Sequence, residues 1–152
     1  MRRKTLSVKI GKVFIGSDHS IKTQSMTTAS TMDTDKSVDE AIRIIQAGGK
    51  LVRFTAPNIN EAKNLSNIKN ALVAKGYDDP LVADIHFTPN AALEASKIVE
   101  KVRINPGNYV DKKKFEVKEY DDKSYQDELL KIEEKFIPCL LYTSPSPRDT
   151  EV

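Results

Sequence analysis

The stretch that decides the fold is Pro80-Leu81-Val82-Ala83-Asp84-Ile85-His86-Phe87. Its apolar run is typical of a strand that is buried on both faces of a parallel sheet. Asp84 and His86 are two residues apart, so their side chains project from the same face of that strand. Because α/β proteins bind ligands at the carboxyl ends of such strands, the stretch predicts a site. The plainer alternative is that His86 only closes a loop and Asp84 holds it there.

Strands and helices alternate on both sides of this stretch. The pattern predicts a hairpin over 6–16, turning at Gly11, and parallel strands at 21–26, 51–55, 81–86 and 101–105. Helices between and after these strands are indicated by apolar stripes with helical spacing. The stripes are Val38, Ala41, Ile42 and Ile45; Leu65, Ile68 and Leu72; Ala92, Leu93 and Val99; and Tyr125, Leu129, Ile132 and Phe136. Strands that alternate with helices predict an α/β fold with right-handed crossovers.

Two short motifs predict where helices begin. Ser37-Val38-Asp39-Glu40 has the pattern of a capping box, in which Ser37 caps the helix and Glu40 reaches back. Thr88-Pro89 predicts a hydroxyl N-cap followed by proline at the first helical position.

The composition is that of a globular protein, with 39% hydrophobic and 30% charged residues among 152. No stretch is long and apolar enough for a membrane span, and no secretion signal follows the basic start. A single cysteine excludes an intramolecular disulfide and suits a cytoplasmic location. Residues 1–110 carry a net charge of about +5, which favours small anionic ligands but is too little to indicate a nucleic-acid partner.

Each of the four predicted parallel strands ends in polar residues, and parallel strands present those ends at one edge. The pairs are Gln24-Ser25, Arg53 with Thr55, Asp84 with His86, and Arg103 with Asn105. Arginine offers a planar fork that matches phosphate oxygens, so we expect an anion site at this edge. Either arginine could instead form a structural ion pair. The hydroxyl-rich segment 27–31 could also contact a phosphate, although a solvated loop is the simpler interpretation.

Other kinds of site are not indicated. The chain has no Gly-x-Gly-x-x-Gly motif for a dinucleotide, and its two histidines, His19 and His86, lack metal-ligand spacing. His86 and Asp84 are the candidates for any proton transfer, and no residue is assigned to a metal.

Several motifs together resemble one enzyme family. Gln24-Ser25-Met26-Thr27, Val52-Arg53, the 81–87 stretch and Arg103-Ile104-Asn105-Pro106-Gly107-Asn108 resemble the amino-terminal part of the 4-hydroxy-3-methylbut-2-enyl diphosphate synthase family, over about residues 5–138. The resemblance implies the first half of a TIM-type barrel, about four βα units. Members of this family are iron–sulfur oxidoreductases of the methylerythritol phosphate pathway of isoprenoid (terpenoid) biosynthesis.

The resemblance also implies a reaction. The family reductively opens and dehydrates 2-C-methyl-D-erythritol 2,4-cyclodiphosphate, using a 4Fe-4S cluster held by a second domain. It further implies a flavodoxin or ferredoxin electron donor and a homodimer. By resemblance, Arg53, His86 and Arg103 hold the diphosphate, and Asp84 and Asn105 are their neighbours. Gln24, Ser25 and Thr27 match a motif at the end of the first barrel strand, with roles that are less defined.

Two segments depart from the compact family pattern. Residues 111–123 are dense in charge and are interpreted as an insertion after the fourth strand. Residues 139–152 resemble a translated sequencing adapter and are interpreted as a non-native tail, with a native Ser/Pro-rich tail as the alternative. The domain predicted is therefore 1–138.

Half a barrel would expose a strand edge, lack the cluster ligands and be inactive alone, with a tendency to self-associate. Two alternatives stay open: a phosphate- or pterin-binding barrel without iron–sulfur chemistry, and a stand-alone binding module.

Overall fold

The fold was analysed in a computed structural model, which describes residues 4–86, 88–105 and 119–142, the last four as backbone. The described elements follow in chain order: β1 (Val8–Ile10), β2 (Val13–Ile15), β3 (Gln24–Met26), α1 (Thr34–Gln46), β4 (Leu51–Thr55), α2 (Ile59–Ala74), β5 (Leu81–Ile85), α3 (Pro89–Ser96), β6 (Lys101–Ile104) and α4 (Asp122–Tyr142).

The central sheet has four parallel strands in the order β3-β4-β5-β6. Strands that are consecutive along the chain are also neighbours in space, which is the arrangement in a TIM-type barrel. The register pairs Met26 with Arg53, Thr55 with Asp84, and Asp84 with Arg103. The predicted α/β class and the four βα units are therefore confirmed.

The outer face of the sheet forms the main core. Phe54, Ala83 and Ile85 project from β4 and β5 into a layer of helices, and all three are fully buried. Leu65 and Ile68 from α2 meet them there, as the apolar stripe of that helix predicted. Burying a side chain of this size stabilises the fold by about 1.5–3 kcal/mol, so this layer fixes the positions of β4 and β5.

The inner face is covered at its lower end by the β1–β2 hairpin. Val8 and Ile10 pack on Leu51 and Val82, which lie near the amino-terminal ends of β4 and β5. In the turn of the hairpin, Lys12 forms an ion pair with Asp78, which lies in the loop between α2 and β5. The predicted hairpin is confirmed, and it closes the end of the sheet opposite to the predicted site.

Both predicted helix caps differ from the structure. Helix α1 begins at Thr34, and Asp33 caps it by accepting a hydrogen bond from the backbone N–H of Lys36 at 3.2 Å. The capping box at Ser37 is therefore wrong, because an earlier aspartate supplies the cap and Ser37 is buried inside the helix. Helix α3 does begin at Pro89, but the Thr88 hydroxyl donates to the Pro57 carbonyl and makes no cap hydrogen bond.

The fourth helix is partly uncovered. Phe136 of α4 packs against the main core, whereas Tyr125, Leu129 and Ile132 of the predicted stripe remain exposed among the described residues. None of the helices in the described ranges combines the length and the apolar character that a membrane span needs.

One predicted strand is shorter in the structure, and two predicted segments are only partly described. Strand β3 covers 24–26 rather than 21–26. Residues 106–118, which include the predicted turn at 106–108 and most of the charged insertion 111–123, lie outside the described residues. The tail 139–152 also lies outside them, apart from the backbone of 139–142, which continues α4 beyond the predicted boundary at residue 138.

Candidate functional site

The carboxyl ends of β4, β5 and β6 bring two arginines onto one carboxylate. Arg53 donates from Nε to Oδ2 of Asp84 at 3.0 Å, and its Nη2 also contacts this oxygen. Arg103 donates from Nη1 to Oδ1 of Asp84 at 3.0 Å. The Asp84 side chain is 2% exposed, whereas those of Arg53 and Arg103 are 26% and 41% exposed. The carboxylate of Asp84 thus holds both guanidinium groups in place, and each guanidinium group remains partly open to solvent.

His86 lies beside this carboxylate at the end of β5. Its Nε2 is 3.6 Å from Oδ2 of Asp84, and its side chain is 40% exposed. At this separation the two groups are within ion-pair distance, and the contact is longer than a hydrogen bond. The hypothesis that Asp84 orients His86 stays a prediction; the hydrogen bonds described above join Asp84 to the two arginines. We call Arg53, Asp84, His86 and Arg103 the cationic cluster.

Both arginines of the cationic cluster form the structural ion pair that the sequence left open as an alternative. One carboxylate neutralises only one of two guanidinium charges, so the predicted anion site at this edge stays a prediction. Asn105 follows Arg103 at the end of the same strand and is half-buried. Thr55 is paired with Asp84 in the register and lies on the same face of the sheet.

The residues of β3 are less closely joined to this cluster. Met26 is the register partner of Arg53 on the inner face, and it is exposed. Gln24 lies two residues earlier, and Ser25 projects from the opposite face. Gln24 and Ser25 line a cavity of about 470 Å³ between β3 and α1, together with Thr28, Glu40 and Ile44. The predicted pair Gln24-Ser25 therefore borders a separate groove at the outer edge of the sheet.

The hydroxyl-rich segment 27–31 is held by the protein itself. Thr27 is buried, and its hydroxyl points to the carbonyl of Arg53 at 3.4 Å. Thr31 donates its hydroxyl to the carbonyl of Thr55 at 2.6 Å. The segment is a loop, as interpreted, but it is solvated only in part: Thr28 and Ser30 are exposed, whereas the buried Thr27 and Thr31 face the backbone of β4.

Glu40 occupies the position that an anion would take on this segment. Its carboxylate accepts from the backbone N–H of Thr28 at 2.6 Å and of Ala29 at 3.0 Å, and from the Thr28 hydroxyl at 2.8 Å. The N–H groups of Ala29 and then Thr28 lower the pKa of Glu40. An internal carboxylate thus already satisfies the donors that a phosphate could have used.

The sequence analysis missed three residues around the site. Met26 was quoted only as part of a motif, and the contacts of Glu40 join residues that are 11 and 12 positions apart. Lys101 lies on the inner face two residues before Arg103, and burial together with the charge of Arg53 lowers its pKa. Alternation along β6 was the available signal for Lys101.

The fold and this geometry define a class of protein: part of a TIM-type α/β barrel with a cluster of positively charged side chains at the carboxyl ends of its strands. Comparison with known families agrees with that class. Residues 5–124 match the model of the GcpE TIM-barrel domain, and the chain belongs to this family.

Curated relatives give the same result. The chain is 52% identical over 141 residues to 4-hydroxy-3-methylbut-2-en-1-yl diphosphate synthase (flavodoxin) from Akkermansia muciniphila, an alignment that covers 93% of this chain and 24% of the relative. It is 54% identical over 140 residues to the protein of the same name from Chlamydia abortus, and this alignment covers 91% of this chain and 23% of the relative. The Parabacteroides distasonis protein of that name is 53% identical, with the same coverage. The chain thus spans about a quarter of the length of these relatives.

Proposed function

We propose that this chain supplies the diphosphate-holding part of a 4-hydroxy-3-methylbut-2-enyl diphosphate synthase. The complete enzyme would reductively open and dehydrate 2-C-methyl-D-erythritol 2,4-cyclodiphosphate in isoprenoid biosynthesis. The observation that carries the proposal is the cationic cluster, in which a buried carboxylate presents two partly open guanidinium forks at the carboxyl ends of adjacent strands. The names of the relatives support the choice of substrate.

The charge of the cationic cluster suits a diphosphate. Arg53 and Arg103 together carry two positive charges against the single charge of Asp84, and protonated His86 would add a third positive charge. Each guanidinium uses part of its fork on Asp84 and has further N–H donors for phosphate oxygens. The role of these residues is to bind and orient the diphosphate, with Asp84 acting through the arginines rather than on the anion.

The residues of this chain do not fit the 4Fe-4S cluster that the resemblance implies. The sequence contains one cysteine, which cannot supply three thiolate ligands. Within the described residues, no three His, Cys, Asp or Glu side chains are grouped to hold a metal ion. We therefore assign the ligands of the 4Fe-4S cluster to another part of the complete enzyme.

Other parts of the proposal follow from the family. The names of the relatives include flavodoxin, so we assign flavodoxin rather than ferredoxin as the electron donor of the complete enzyme. A homodimer and a cytoplasmic location complete the proposal. Light scattering of a complete relative tests the dimer.

Binding of inorganic pyrophosphate to the 152-residue chain tests the anion site directly. We expect Arg103→Gln to weaken binding about tenfold or more in isothermal titration, because it removes a charge-assisted contact. Lys131→Gln is the charge-matched control: Lys131 is 56% exposed on α4, pairs with Glu128 and lies outside the cationic cluster, so its variant should bind like the wild type. Equal losses in both variants would indicate only a general charge effect.

The chemical assignment needs the natural substrate and a complete relative. The cyclodiphosphate should compete with pyrophosphate for the chain. In a purified complete relative, alanine at the positions that match His86 and Arg103 should abolish turnover. Retained activity in both variants would overturn the site assignment, and binding of a pterin without binding of the cyclodiphosphate would favour the barrel that lacks iron–sulfur chemistry.

A further inference from the structure

The cationic cluster has a neighbour at the base of the inner face that neither the resemblance nor the relatives' names assign. Lys101 opens β6, and the register pairs it with Val82. On the other side of Val82, the register places Arg53. Neighbouring strands lie about 4.8 Å apart, so the backbones of Arg53 and Lys101 flank one residue on the same face. Arg103 lies two residues further along the same strand as Lys101.

Lys101 differs from Lys69, another partly buried lysine, in its ion pairing. Lys69, for comparison, is paired with Glu100. Among residues 4–86, 88–105 and 119–138, no acidic side chain lies within ion-pair distance of Lys101. Burial and the charge of Arg53 both lower its pKa, so its ammonium group lies close enough to Arg53 to be repelled.

The surroundings direct this charge toward the cationic cluster. Beneath Val82, the hairpin residues Val8 and Ile10 pack against the lower end of the sheet and close the amino-terminal side with apolar groups. Lys101 is partly buried, and its register position places it on the same face of the sheet as Arg53 and Arg103. Positive charges gathered on one partly buried face are unfavourable without an anion. Arg53, Lys101 and Arg103 carry three positive charges against the one negative charge of Asp84, which leaves a net charge of +2.

We propose that Lys101 is a third cationic contact for the bound diphosphate and forms the floor of the anion site. This inference rests on the proposed function, because it places Lys101 under the same ligand. Lys101 would act as a compact point charge, in contrast to the planar forks of Arg53 and Arg103. It is a binding residue that sets how much negative charge the site accepts.

The test compares Lys101→Met, Lys101→Arg and Lys97→Met by titration of the 152-residue chain with inorganic pyrophosphate. Lys101→Met should weaken binding about tenfold, and Lys101→Arg should largely retain it. Lys97→Met makes the same change in net charge just after the end of α3, where Lys97 is exposed and paired with Glu94, and should bind like the wild type.

Stability without ligand provides a second readout of opposite sign. Because Lys101 is repelled by Arg53, Lys101→Met should keep or raise the urea midpoint of the free chain. An unchanged pyrophosphate affinity of Lys101→Met would overturn the inference, and a lower midpoint beside it would show that the role of Lys101 is structural. The proposed function fails separately, if the wild type itself binds neither pyrophosphate nor the cyclodiphosphate.

Discussion

Asp84 is the residue on which the geometry of both arginines depends. It is buried, and its two oxygens accept from Arg53 on one neighbouring strand and Arg103 on the other. Removing the charge of one partner in such a group leaves the other charges uncompensated, which typically costs 3–5 kcal/mol when all partners are buried. The arginines are partly exposed here, so water recovers some of that loss.

We therefore predict that Asp84→Asn lowers the free energy of unfolding by about 3 kcal/mol, measured by urea titration at neutral pH. Asp78→Asn is the matched control, because Asp78 also pairs with a cation but is 75% exposed. Its midpoint should stay close to that of the wild type. Similar midpoints for the two variants would show that the carboxylate of Asp84 does not hold the cationic cluster together.

At the scale of elements, Glu40 joins α1 to the segment that follows β3. Its carboxylate accepts from two backbone N–H groups and one hydroxyl, and the N–H of Ala29 is the largest cause of its lowered pKa. A carboxylate with a lowered pKa in the folded protein stabilises the fold above its ordinary pKa of 4.5. That stabilisation is lost as the pH falls through the lowered value.

We predict that Glu40→Gln destabilises the chain by about 1 kcal/mol at pH 7, because an amide oxygen accepts these hydrogen bonds less strongly. The difference from the wild type should shrink as the pH is lowered well below 4.5, where Glu40 itself becomes protonated. Urea titrations over a pH series provide the measurement. Arg43→Gln keeps the carboxylate and removes only the weakest influence on the pKa of Glu40, so it should retain most of the wild-type pH dependence. A difference for Glu40→Gln that stays constant with pH would contradict this origin.

The elements themselves were largely predictable from the sequence. The apolar runs at 51–55 and 81–85 and the stripe of α2 depend on local spacing, which determines the faces that must be buried. Alternation along each strand also placed Arg53, Asp84 and Arg103 on one face. The convergence of the cationic cluster thus followed from the period of a strand and the parallel order of the sheet.

Side-chain partners were less predictable, because they depend on contacts between distant residues. Ser37-Val38-Asp39-Glu40 fits a capping box locally, yet Glu40 contacts Thr28 and Ala29 instead. Local sequence also cannot show that the Thr88 hydroxyl finds the carbonyl of Pro57, 31 residues away. Several hydrogen-bond geometries are compatible with such motifs, and tertiary packing selects among them.

At the scale of the whole molecule, the sheet has two outer strands, β3 and β6. Within the described residues, no strand pairs with the outer side of β3. The N–H of Thr27 and the carbonyl of Thr23 are bonded toward β4 or the residue before it. By alternation, Gln24 and Met26 direct their backbone groups to the open side. Such an edge is a template for pairing with another chain.

We predict that the 152-residue chain self-associates through this edge and that Gln24→Pro reduces the association. Proline removes an outward N–H and leaves the bonds between β3 and β4 in place, so the fold should persist. Light scattering during size-exclusion chromatography over a concentration series measures the mass.

The competing surface is α4, whose Leu130 is 56% exposed. If Leu130→Gln lowers the average mass while Gln24→Pro does not, association occurs through α4 and the β3 edge is protected. If the wild type keeps the mass of a monomer at every concentration, neither surface mediates self-association, and the stand-alone binding module is favoured.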